Sequence, residues 1–273
     1  MKERVVIEGV KHIVAVASGK GGVGKSTVAV NLALAMAAEG YRVGILDADI
    51  HGPSQARMLG VEEGKRPEAA DEKRMKPLRA HGLQAMSMAF MVDTREPMVW
   101  RGPMVAGAFQ QLLTQTVWDD LDVLFVDMPP GTGDIQLTLA QKVPVDGAVI
   151  VTTPQDIALL DARKGIEMFR KVNVPVFGVV ENMSLHVCSS CGHSEPIFGE
   201  GGGERIAGEY DTRLLGRLPL ALAIREQVDG GRPTVVAEPD GEVTASFRAM
   251  ARQVAEQLEG ASPDEGPQIS FSD

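Results

Sequence analysis

The sequence predicts a doubly wound α/β domain, a mostly parallel sheet with helices on both faces. Apolar, β-branched runs alternate with helical stretches through most of the chain. The first run passes through a glycine-rich loop directly into a helix, and two later runs end in aspartates. Strands separated by helices need crossover connections, and these place helices over both faces of a parallel sheet. Residues 13–18 form the first strand, short and apolar as a buried parallel strand is. An Ala- and Leu-rich helix follows over 27–39. The second strand, 42–46, runs into Asp47-Ala48-Asp49, and the third, 122–126, into Asp127. Residues 148–152, 176–180 and 214–218 give three more strands, with helices over 158–171, 203–209 and 221–227. A C-terminal helix spans 243–258, where apolar positions recur at helical spacing.

Residues 1–260 are expected to form one domain, with a charged surface excursion over about 60–97 that includes a small hairpin near 78–88. The methionines around it (Met75, Met86, Met88, Met91, Met98, Met104) read as core filling rather than an adaptable partner surface. Residues 261–273, rich in Pro, Gly and acidic groups, read as a disordered tail.

The chain has 273 residues, 44% of them hydrophobic, and a formal net charge of −10. That balance argues against general affinity for nucleic acid or anionic membranes. No run approaches the roughly 20 apolar residues of a membrane span, and the start, Met1-Lys2-Glu3-Arg4, is unlike a signal peptide. A cytoplasmic protein is expected, without nucleic-acid or membrane partners.

Gly19-Lys20-Gly21-Gly22-Val23-Gly24-Lys25-Ser26, followed by Thr27, has the spacing of a phosphate-binding loop between a strand and a helix N-terminus. Backbone N–H groups and the helix dipole favour phosphate there. Lys25 is expected to reach the β- and γ-phosphates and Ser26 to ligate Mg²⁺. Asp127 fits the role of holding the ion through water, Asp49 that of orienting the attacking water, and Asp47 that of supporting them. The segment Met128-Pro129-Pro130-Gly131-Thr132-Gly133-Asp134 is stiff and then hinged, suited to sensing a terminal phosphate.

The chain's two cysteines, Cys188 and Cys191, form a CxxC after a strand. Zinc and [4Fe–4S] sites both commonly take four thiolates. One chain supplies two and a pair of chains supplies four, which favours a cluster bridging a dimer. His186 and His193 flank the pair and offer a zinc site within one chain as the alternative. A redox dithiol fits less well, since no helix begins at the pair.

The Lys-Gly-Gly-Val-Gly-Lys-Ser form of the loop resembles the deviant Walker A of the MinD/ParA/nitrogenase iron protein class of P-loop ATPases. Within it, the segments 47–54, 128–134 and Glu181-Asn182-Met183-Ser184 resemble the Mrp/ApbC iron–sulfur carriers, over about residues 11–258. The resemblance implies a homodimer with ATP at the interface and Lys20 crossing to the partner's nucleotide. It also implies that Asn182 reads adenine, that Cys188 and Cys191 hold a bridging [4Fe–4S] cluster, and that the cluster passes from donors to apo acceptor proteins. Ser189-Ser190 stand where relatives often have proline and asparagine, which leaves the ligand spacing intact. A cysteine group or small domain ahead of the ATPase, found in some relatives, is not read here, so recognition inferred from either is not carried over. A positioning or partition ATPase of the same class would want a cationic amphipathic terminal helix or a basic face. An electron donor like the nitrogenase iron protein would space its cysteines far apart.

Overall fold

The computed structural model describes residues 6–49, 52–90, 102–188 and 190–260. In chain order these form β1 (Val10–Ala17), α1 (Lys25–Ala38), β2 (Val43–Asp47), α2 (Gln55–Met58), β3 (Leu78–Ala80), β4 (Leu83–Ser87), α3 (Gly102–Gln115), β5 (Leu121–Asp127), α4 (Asp134–Lys142), β6 (Gly147–Thr152), α5 (Asp156–Lys171), β7 (Val176–Glu181), β8 (His186–Val187), β9 (Ser194–Glu195), α6 (Gly202–Glu209), β10 (Leu214–Arg217), α7 (Leu222–Asp229), α8 (Thr234–Ala237) and α9 (Glu242–Gly260). Eight strands make one sheet in the order β10-β7-β6-β1-β5-β2-β4-β3. Neighbours are parallel except β3 and β4.

The alternation of side chains along each strand divides the core in two. Val14 and Val16 of β1, with Val123 and Phe125 of β5, pack under α1 and α9. Ile13, Ala15 and Ala17, with Leu124 and Val126, pack on the other face under α3, α4, α5 and α6. Helix α1 is itself nearly encased, since Val28–Met36 are all buried. Its Ala-rich sequence allows that, because small side chains let the sheet and α9 approach closely.

Residues 78–87 form the expected hairpin, but it does not stand apart from the core. Strand β4 runs parallel to β2, all five of its residues are buried, and only β3 lies at the sheet edge. Helices α3 and α4 were not expected from the sequence. Met86 and Met88 are core residues, whereas Met104 is exposed. Met91, Met98 and the proposed acidic tail lie outside the described residues, as do Ile50, His51 and Ser189.

Candidate nucleotide and cysteine sites

Strand order builds the nucleotide site. The phosphate-loop strand β1 lies beside β5, and β5 beside β2, with Val16 paired to Asp127 and Asp127 paired to Asp47. The loop and both aspartates thus meet at the carboxyl ends of adjacent strands, where open α/β sheets bind ligands. Ser18 Oγ donates to the Lys20 carbonyl at 2.8 Å and pins the start of the loop. A Cβ on Gly19 would lie 2.0 Å from the Asp161 carbonyl oxygen of α5, so only glycine fits between loop and helix. Gly24 has φ +80°, and a Cβ there would lie 2.2 Å from Asn182 Nδ2. Positive φ turns the chain into α1, which begins at Lys25. Gly21 and Gly22 form the exposed tip, Lys20, Ser26 and Thr27 are half-buried, and Val23 is anchored in the core.

Lys25 is buried and its Nζ contacts Asp127 Oδ1 directly. The same ammonium lies 3.2 Å from Ser26 Oγ. Gln55 Nε2 donates to the other Asp127 oxygen at 2.8 Å and to the Ser26 carbonyl at 2.9 Å. Asp127 is therefore buried with both oxygens engaged, as a buried carboxylate must be. Asp47, also buried, accepts from the backbone N–H groups of Asp49 (3.1 Å), Ser54 (2.9 Å) and Gln55 (3.0 Å). Burial pushes its carboxyl pKa up and the Asp127 charge pushes it further, opposed by those backbone donors. Asp47 thus organises the turn after β2. Asp49 is nearly buried, and its Oδ1 accepts from Gly52 N–H at 3.2 Å.

The 128–134 segment is tied to the phosphate loop through Met128 N–H to the Val16 carbonyl (3.0 Å) and Gly131 N–H to the Ser18 carbonyl (2.9 Å). Beside it a cavity of about 320 Å³ is lined by Asp49, Gly52, Pro129, Pro130, Ile135 and Gln136. A larger cleft of about 570 Å³, near Tyr41, Arg42 and His81, opens at the opposite end of the strands, away from this chemistry.

Ser26 and Asp127 suit a hydrated Mg²⁺, a hydroxyl and a carboxylate being a hard ligand and a water acceptor, and the Gln55 amide packs against both residues through Nε2. Gln55 escaped the sequence reading because it belongs to no motif. Asn182 follows β7 and donates from Nδ2 to the Val23 carbonyl at 2.9 Å, so its side chain touches the phosphate loop.

The cysteine pair sits at the tip of the β8–β9 hairpin, with Cys188 five residues beyond Met183 and seven beyond the end of β7. Cys188 N–H donates to the His193 carbonyl at 2.8 Å, and Gly192 N–H to the Cys188 carbonyl at 2.9 Å, closing a tight knuckle. Both thiols are free; Cys188 is half-buried and Cys191 exposed. The backbone N–H of Ser190, then the backbone and thiol of Cys191, hold the Cys188 pKa below its ordinary value. Thiolate is the metal-binding form of cysteine. In reduced, metal-free protein, Cys188 alkylation by iodoacetamide is expected to rise with a midpoint below the ~8.5 of a free thiol; peptide mass spectrometry across pH checks this.

The histidines do not complete a site with the cysteines. His186 Nδ1 lies 3.2 Å from the Leu220 carbonyl, and His193 Nε2 lies 3.9 Å from a Glu195 oxygen. Among the described residues no group of three or more His, Cys, Asp or Glu side chains is placed to hold a metal ion. One chain offers this knuckle two thiolates.

Residues 9–255 match the family described as ParA: NUBPL iron-transfer P-loop NTPase. The chain belongs to this family. An iron-sulfur cluster carrier protein of Pseudomonas fragi is 66% identical over 89% of this chain and 84% of its own length. Its counterpart in Escherichia coli K12 is 60% identical over 94% of this chain and 70% of its own. The iron-sulfur cluster transfer protein NUBPL of Mus musculus is 50% identical over 94% and 81% respectively. Among solved structures, a nucleotide-binding protein of Archaeoglobus fulgidus in complex with ADP superposes with TM-score 0.75 at 36% identity, covering 90% of this chain and 95% of that one. The cell division ATPase MinD of Pyrococcus furiosus superposes with TM-score 0.65 at 21% identity, covering 90% and 98%. At that identity the likeness concerns the fold alone. The family is thus that of iron–sulfur cluster carriers built on a P-loop NTPase, as the motifs imply. Among the described residues no helix is long and apolar enough to cross a membrane.

Proposed function

We propose that the chain is a homodimeric, Mg²⁺-dependent ATPase that carries a [4Fe–4S] cluster between two Cys188/Cys191 pairs and delivers it to apoproteins in the cytoplasm. Residues 1–260 act as one unit in this reading. The observation that carries it is the knuckle itself, with two accessible thiols, one biased toward thiolate, and no further ligand beside them among the described residues. Four-thiolate coordination then asks for a second copy. Leu185, Val187, Ile197 and Leu222 lie exposed around the hairpin and its neighbouring strand connection, which favours burial of this face against protein.

At the nucleotide, Lys25 leaves Asp127 for the β- and γ-phosphates, while the loop's N–H groups and the start of α1 bind the remaining oxygens. Ser26 would ligate Mg²⁺ directly and Asp127 would hold it through water, and the ion would offset charge on the phosphates. Asp49 orients water for attack in line with the leaving oxygen. Lys20, entering from the partner, stabilises charge as it develops. Asn182, after β7 and against the phosphate loop, reads adenine. The same residue begins the connection to the knuckle, where Ser184 and Leu220 are fixed to Leu218 and Leu185 by backbone bonds. Nucleotide state at Val23 therefore has a short path to the cysteines, through one hydrogen bond to Asn182 and then the main chain.

Cluster-loaded protein mixed anaerobically with an apo-dehydratase is expected to restore the acceptor's activity in stoichiometric amounts, even with a chelator that scavenges free iron. Restoration abolished by the chelator would mean that the protein releases iron rather than transferring a cluster.

A further inference from the structure

Gln55 is almost fully buried, yet its Oε1 finds no hydrogen-bond partner among the described residues. Its orientation is determined by its neighbours. Nε2 faces two acceptors, the Asp127 carboxylate and the Ser26 carbonyl, and a flipped amide would set oxygen against both. The main chain is fixed as well, since Gln55 N–H donates to Asp47 Oδ2. One side chain thus spans the turn after β2, the phosphate loop and the end of β5, with an acceptor left over. Buried acceptors without donors are rare and ask for an explanation, an ion or water among them.

We propose that Gln55 is a positioning residue of the metal–nucleotide site, aiming the Asp127 carboxylate through Nε2 and accepting through Oε1 a hydrogen bond from a water bound to Mg²⁺. Magnesium keeps several of its waters, and each is a strong donor that needs an acceptor. Asp127 has one oxygen held by Gln55 and the other by Lys25. When Lys25 turns to phosphate, Gln55 keeps the carboxylate from rotating with it. The inference rests on the ATPase reading and adds to it a residue that acts on the ion rather than on the phosphates.

The test measures Mn²⁺ affinity of the ADP-saturated protein, by the electron paramagnetic resonance of free Mn²⁺, and separately ADP affinity without metal. Gln55→Leu is expected to weaken Mn²⁺ binding about 10- to 100-fold, as loss of outer partners of a metal does, and to leave metal-free ADP affinity unchanged. Gln55→Asn, which keeps an amide but falls short by one methylene, serves the same comparison if the leucine variant melts early. Unchanged Mn²⁺ affinity, or an equal loss of ADP affinity without metal, would overturn the proposal by leaving Gln55 a purely structural clamp. Wild-type protein that binds no ADP would remove the nucleotide reading itself, a failure visible before any variant is made.

Discussion

Alanine at Cys188 or Cys191 is expected to take bound iron from about four per pair of chains to near zero, with ATP hydrolysis retained. The effect is all-or-none because each substitution removes two of four ligands in a symmetric dimer. Among the described residues a cluster left with two thiolates finds no replacement: the flanking His186 is occupied with the Leu220 carbonyl, and His193 leans toward Glu195. Stability should barely change, since Cys191 is exposed and Cys188 only half-buried. Iron and sulfide assays on anaerobically reconstituted variants, beside a thermal melt, check both parts. Retention of most of the iron would show that the substituted cysteine is not a ligand.

Alanine at Lys20 is expected to lower kcat for ATP hydrolysis by about 10²–10³-fold, the usual loss when one preorganised charge at a developing oxyanion is removed, with ADP affinity little altered. Lys20 sits half-buried at the loop's start, where its carbonyl accepts from Ser18 Oγ. Its removal therefore leaves the loop's geometry in place. Subunit mixing separates action in trans from action in cis. A dimer of one Lys20→Ala chain and one Asp49→Ala chain has one intact site only if Lys20 crosses the interface. Random mixing of the two inactive variants should then restore roughly a quarter of wild-type activity, half the dimers each with one working site. No recovery would place Lys20 in its own chain's site.

Much of this arrangement was legible in the sequence because its chemistry is local. The phosphate loop, the aspartates ending β2 and β5, and the cysteine spacing are each contained in a few consecutive residues. The strands of the parallel sheet read clearly because burial on both faces leaves continuous apolar runs. Strand β4 read only as part of a surface hairpin, since Leu83–Ser87 includes Gln84 and Ser87, polar residues that look like surface. Both are satisfied inside the fold. Gln84 exchanges bonds with the Asp119 backbone at 2.8 and 2.9 Å, and Ser87 Oγ donates to Asp47 at 3.3 Å. Such partners come from distant segments, so hydrophobic pattern cannot reveal them. Helix α4 was hidden behind the Pro- and Gly-rich segment that leads into it. Gln55 was missed for a related reason: its meaning comes from β1, β5 and β2 meeting, and the order of strands is not written in any one of them.

The most direct test of the central claim is anaerobic reconstitution with iron and sulfide, followed by native mass spectrometry. The account predicts a dimer carrying one cluster of about four irons and four sulfides, seen intact, with the apoprotein shifted toward monomer. A monomer that holds its own complement of iron, or takes up stoichiometric zinc in place of iron and sulfide, would contradict it.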